Sequence, residues 1–152
     1  RKSKNFNSYK VRTAITAKMN GKSFKGHGEV KIAKGGKSLS LIFECIRRED
    51  DWENKLTERM NLYKDFLDNF VQFDSGYQTR PQLILVCEDE KHMVETFKQM
   101  VKKDVCPAGS KVYFTTDLKQ NSESLDKSLT EFVKNEDTGK FSAVNVEFKI
   151  LE

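Results

Sequence analysis

The chain has 152 residues, enough for one domain with a sizeable core and short for two. Its 37% apolar and 33% charged content is that of a globular protein and excludes wholesale disorder. The net charge of +4 is unevenly spread: residues 1–40 hold eleven Lys/Arg against Glu29 alone, a balance of +10, and the remainder carries −6.

Residues 1–8 are polar and aperiodic and are expected to form a linker or frayed tail, with one domain over 9–152. From Tyr9 to Ala17 apolar and polar residues alternate, which predicts a strand with a cationic outer face, and Asn20-Gly21 predicts a turn. Gly26-His27-Gly28 opens a strand over Glu29–Ala33. Lys34-Gly35-Gly36-Lys37 is a hairpin signal leading into a strand over Ser38–Ile46. Glu49, Asp50 and Asp51 precede a helix over Trp52–Phe70, whose inward face is Leu56, Met60, Tyr63, Leu67 and Phe70; the acids favour the positive end of its dipole.

Pro81 introduces Gln82–Cys87, a continuous apolar run expected to be a central strand buried on both faces. A second helix follows over Lys91–Lys103 with Met93, Phe97, Met100 and Val101 inward and His92 on the surface. Pro107-Ala108-Gly109 breaks the chain before a strand over Lys111–Thr116. Ser122 and Ser124 are candidate caps for a short helix bearing Leu125, Leu129, Phe132 and Val133, and alternating Val144, Val146, Phe148 and Ile150 predict the last strand. This order gives an α/β fold, a mixed central sheet in which a β-hairpin is followed by βαβ-type units, with helices packed on its faces.

No apolar run reaches the roughly 18 residues of a membrane helix, so no membrane partner is expected. Cys45, Cys87 and Cys106 are an odd number without CxxC spacing, which favours reduced thiols in a cytoplasmic protein. A chain that begins at Arg1 is expected to be an excised domain or a processed product. The basic N-terminal part predicts a polyanion partner, most simply DNA. Lys10, Arg12, Lys18, Lys22, Lys25, Lys31, Lys34 and Lys37 are the candidate phosphate contacts, with Phe6, Tyr9 and Phe24 interleaved.

The remaining chemistry centres on Glu44, which a strand delivers at its C-terminal tip opposite a Gly-Gly hairpin. The segment from Gly26-His27-Gly28-Glu29-Val30 to Leu41-Ile42-Phe43-Glu44, the helix with Met60-Asn61-Leu62-Tyr63, and the strand Pro81–Val86 resemble the PD-(D/E)XK nuclease core. More narrowly, they resemble the replication-relaxation proteins of plasmids and conjugative elements, over about residues 26–116. The resemblance implies a restriction-endonuclease-like fold and a DNA-binding or DNA-processing accessory role in replication or mobilisation, alongside other replication or conjugation proteins. It also implies a site with Glu44 as metal ligand, His27 near the missing aspartate, and Lys55 as a migrated lysine.

The pattern is incomplete. His27 or Gly28 stands where the family has aspartate, and Ile46 where it has lysine. Holding magnesium or manganese takes at least two hard oxygen ligands, so the expectation is a catalytically degenerate domain. The alternatives are an active metal-dependent endonuclease built on Glu44, His27 and Lys55, and a protein-interaction module using the acidic C-terminal part.

Overall fold

A computed structural model describes residues 8–12, 15–19, 22–70 and 79–146. The strands are β1 (Ser8–Arg12), β2 (Ile15–Met19), β3 (Lys22–Gly26), β4 (Gly28–Lys34), β5 (Lys37–Cys45), β6 (Gln82–Cys87), β7 (Val112–Thr116), β8 (Leu129–Lys134) and β9 (Phe141–Val146). The helices are α1 (Trp52–Asp68), α2 (Glu90–Lys102) and the short α3 (Asp117–Ser122), followed by a 3-10 turn at Leu125–Lys127. Seven strands form one mixed sheet in the order β1-β4-β5-β6-β7-β8-β9, while β2 and β3 pair separately.

The Gly-Gly hairpin forms as expected. Lys34 and Lys37 are partners across β4 and β5, and Gly35 (φ 55°) and Gly36 (φ 78°) both take the left-handed conformation that a two-residue primed turn requires. Strands β5, β6 and β7 are parallel neighbours, joined through α1 and α2. Both crossovers lie on one face, where Ile42, Leu83, Leu85 and Phe114 of the sheet meet Leu56, Met60, Tyr63 and Phe66 of α1 and Met93 and Met100 of α2. The second face carries Ile32, Leu41, Ile84, Val86, Tyr113 and Leu129, with Leu125 packed on it. Strand β6 is thus buried on both sides, as its uninterrupted apolar run requires.

Five expectations are corrected. The alternating run from Tyr9 to Ala17 forms two strands in different sheets: β1 pairs with β4 and β2 with β3. The Asn20-Gly21 turn lies outside the described residues, as do Thr13 and Ala14. The expected helix through Leu125–Val133 is a 3-10 turn followed by β8, because Leu129, Phe132 and Val133 serve a strand paired with β9. His92 is buried, whereas Val101 is exposed. Phe70 lies beyond the end of α1, where Phe66 joins the buried face instead. Phe148 and Ile150 lie outside the described residues.

Candidate functional site

Antiparallel pairing of β4 with β5 sets Gly28 against Phe43, which brings His27, one residue before β4, alongside Glu44 near the tip of β5. His27 Nδ1 lies 3.3 Å from Glu44 Oε1, so the sequence brings this pair together correctly. Their environments differ: the His27 side chain is 61% exposed and that of Glu44 only 2%. A carboxylate that deep is costly unless its charge and lone pairs are satisfied.

Helix α1 satisfies them. Arg59 donates to both carboxylate oxygens, Nε to Oε1 and Nη2 to Oε2, each at 3.0 Å, and the Tyr63 hydroxyl donates to Oε2. Arg59 and Tyr63 are four residues apart, so they lie on one helix face above the strand tip. The guanidinium sits 5.3 Å from the Tyr63 ring centroid. Arg59 Nη2 also donates to the Lys25 carbonyl at 2.9 Å, tying β3 to α1. Burial, the Glu44 charge and the hydrogen bond to Glu44 together push the Tyr63 phenol far above its usual range. Burial opposes the Arg59 charge, but the hydrogen bond and charge of Glu44 outweigh it, so the guanidinium is held protonated more firmly than usual.

This arrangement does not fit a magnesium or manganese ion. Both Glu44 oxygens are occupied by cationic or hydroxyl donors, and among the described residues no group of three His, Cys, Asp or Glu side chains is placed to hold a metal. Lys55 lines the same cleft of about 350 Å³ but pairs with Glu49 at 3.3 Å. Ile46, at the lysine position of the nuclease pattern, is in the core and donates its amide to the Val86 carbonyl at 2.9 Å.

A second polar cluster stands at the carboxyl ends of β5 and β6. Arg48 forks onto Asp89 (2.7 and 3.1 Å) and reaches Glu95 (3.3 Å), while its amide donates to Glu88 (2.9 Å). Asp89 caps α2 by accepting from the His92 amide, and the Arg48 hydrogen bond helps hold its carboxyl down to about 2. His92 accepts the Glu88 amide on Nδ1 at 3.3 Å, which places its proton on Nε2, and its ring meets Trp52 edge-on at 4.9 Å. Burial, then the Arg48 charge, lowers its pKa. These contacts anchor the β5–α1 connection to α2.

Lys10 and Lys31 are direct partners across β1 and β4, and Lys31 shares a face with Ser40 and Ile42, the helix-bearing side. Among the described residues, Lys10, Lys25, Lys31 and Lys34 have no carboxylate partner. Elsewhere some cations are paired, Arg47 with Asp117 at 3.1 Å, Lys111 with Glu131 at 3.9 Å and Lys119 with Glu90 at 3.7 Å, while Lys98, Lys102, Lys134 and Lys140 also have no carboxylate partner among the described residues. The Lys37 side chain is exposed at the hairpin. The side chains of Arg12, Lys18 and Lys22 lie outside the described residues, although their backbones belong to β1, β2 and β3.

No protein-family model, curated protein or solved structure matches this chain.

Sequence reasoning missed Arg59. The signal was available: Tyr63 on the buried face needs a partner for its hydroxyl, a lone carboxylate ends the adjoining strand, and an arginine stands one turn before Tyr63.

Proposed function

We propose that this chain is a DNA-binding accessory domain with a catalytically degenerate, restriction-endonuclease-like core, working within a plasmid or mobile-element replication or mobilisation protein. The observation that carries the reading is the pair Lys10 and Lys31. Like charges directly opposite across strands destabilise a sheet. A phosphate backbone laid over them reverses that cost, and Lys25 on β3 adds a cation without a carboxylate partner among the described residues, while Lys34 and Lys37 fall on the other face of the sheet by register. The contact would be largely independent of base sequence and steeply dependent on salt. The closed Glu44 carboxylate supports a binding role rather than hydrolysis, and the mobile-element setting rests on the resemblance to replication-relaxation proteins.

The test is fluorescence-anisotropy titration of duplex and single-stranded DNA at two salt concentrations with magnesium or manganese present, followed by a gel of the same DNA. Salt-sensitive binding with intact DNA is expected. Neutralising Lys10, Lys25 and Lys31 to Gln is expected to flatten the log K versus log salt slope by about one per lysine. Binding that ignores these substitutions overturns the reading. Cleavage that Glu44→Gln abolishes would establish the endonuclease alternative instead.

A further inference from the structure

Strand β9 ends the seven-stranded sheet, and Phe141, Ser142, Ala143, Val144 and Asn145 are all exposed. Natural sheets protect such an edge with charges, proline, a bulge or a covering segment. Phe-Ser-Ala-Val-Asn-Val contains no charge and no proline, and its register with β8 runs without a bulge from Leu129 opposite Val146 to Lys134 opposite Phe141. On the face that holds Leu129 and Val146, Val133 and Val144 reach this edge 47% and 45% exposed, with Glu131, opposite Val144, paired to Lys111.

We propose that β9 is a dimerisation edge, at which the β9 strands of two copies of this chain pair antiparallel and join their sheets into one. The charge pattern selects a second copy as the occupant. In a two-fold antiparallel pairing each strand faces its own copy, so a strand charged with one sign sets like against like, and the described length of β9, Phe141–Val146, carries no charge. The opposite edge, β1, carries Lys10 and Arg12 and would repel itself in the same arrangement. A dyad normal to the sheet keeps each face continuous, so the register centres on a residue, Ala143 or Val144. Either register brings the apolar faces of the two copies into contact at Val144. Six paired residues a side bury less than the roughly 1,200 Å² of a tight complex, so the dimer belongs at the weak end, with a dissociation constant on the order of 10 µM.

The inference stands apart from nucleic-acid binding and is tested on the intact chain without DNA. Sedimentation equilibrium over about 1–200 µM, spanning that constant, is expected to show a concentration-dependent rise from 17.6 kDa to twice that mass. Amide hydrogen exchange at the two ends of the range is expected to show added protection in the peptide containing residues 141–146. Val144→Lys and, independently, Ser142→Lys are expected to weaken association at least tenfold while the thermal midpoint of the monomer holds. A single-chain mass at the highest concentration, a dimer whose β9 amides gain no protection, or association indifferent to both lysines would each overturn the proposal.

Discussion

Arg59→Ala removes the guanidinium that neutralises the buried Glu44 carboxylate. Glu44 is 1% exposed, and the substitution removes its bidentate partner together with the donor to the Lys25 carbonyl. Stripping one partner from a buried ion pair costs on the order of 3–5 kcal/mol. The Arg59 side chain is 28% exposed and Tyr63 still donates to Glu44, so the lower end, about 3 kcal/mol, is expected. In a domain of this length that is a fall of about 6–12 °C in thermal midpoint. Glu44→Gln leaves a guanidinium that can turn to water, so it should cost about 1–2 kcal/mol. The double variant should be less destabilised than the two single losses added together, by about 1–3 kcal/mol. Urea unfolding followed by circular dichroism measures all three. An Arg59→Ala loss below about 1 kcal/mol, or a cycle with no coupling, would refute the reading of Glu44 as a structural carboxylate.

Two further outcomes follow from the buried groups. His92 is held neutral with its pKa below the ordinary 6.5, so the unfolded chain takes up the proton more readily than the folded one; stability should be full above pH 6.5 and fall as the pH drops below it, and His92→Asn should flatten that part of a stability-versus-pH curve. Among the thiols, Cys45 is exposed, Cys106 partly buried with its pKa raised by burial, and Cys87 buried with its pKa raised to about 11, so a thiol-disulfide reagent at neutral pH should label them in that order, with Cys87 reacting only on unfolding.

Much of the fold is legible in local patterns. Gly35-Gly36 between apolar runs specifies the hairpin, and the unbroken Leu83–Cys87 run specifies the central strand, because each signal has one physical solution. The failures have the opposite character. Leu125, Leu129, Phe132 and Val133 fit helical spacing, yet Thr130, Phe132 and Val133 are strand-favouring β-branched and aromatic residues, and pairing with β9 decides between them. Thr13-Ala14 contains no glycine or proline to mark the boundary between β1 and β2. At the site, the meeting of His27 and Glu44 follows from hairpin register, which a sequence displays. The Arg59 contact depends on how α1 lies over the strand tip, and no one-dimensional period reports that.

Arg59 also accounts for the closed state of the Glu44 carboxylate. In a metal site the strand-tip carboxylate must stay available to a cation, and a buried anion without one is expensive. Here α1 supplies the cation permanently: a guanidinium matches both carboxylate oxygens with fixed geometry, which a lysine could not do. Ile46, just past the strand tip, is part of the core. The same arginine holds the Lys25 carbonyl of β3, so the contact that closes the carboxylate also fixes part of the basic region on α1. Closure of the Glu44 carboxylate and anchoring of β3 on α1 are, on this geometry, two consequences of one side chain.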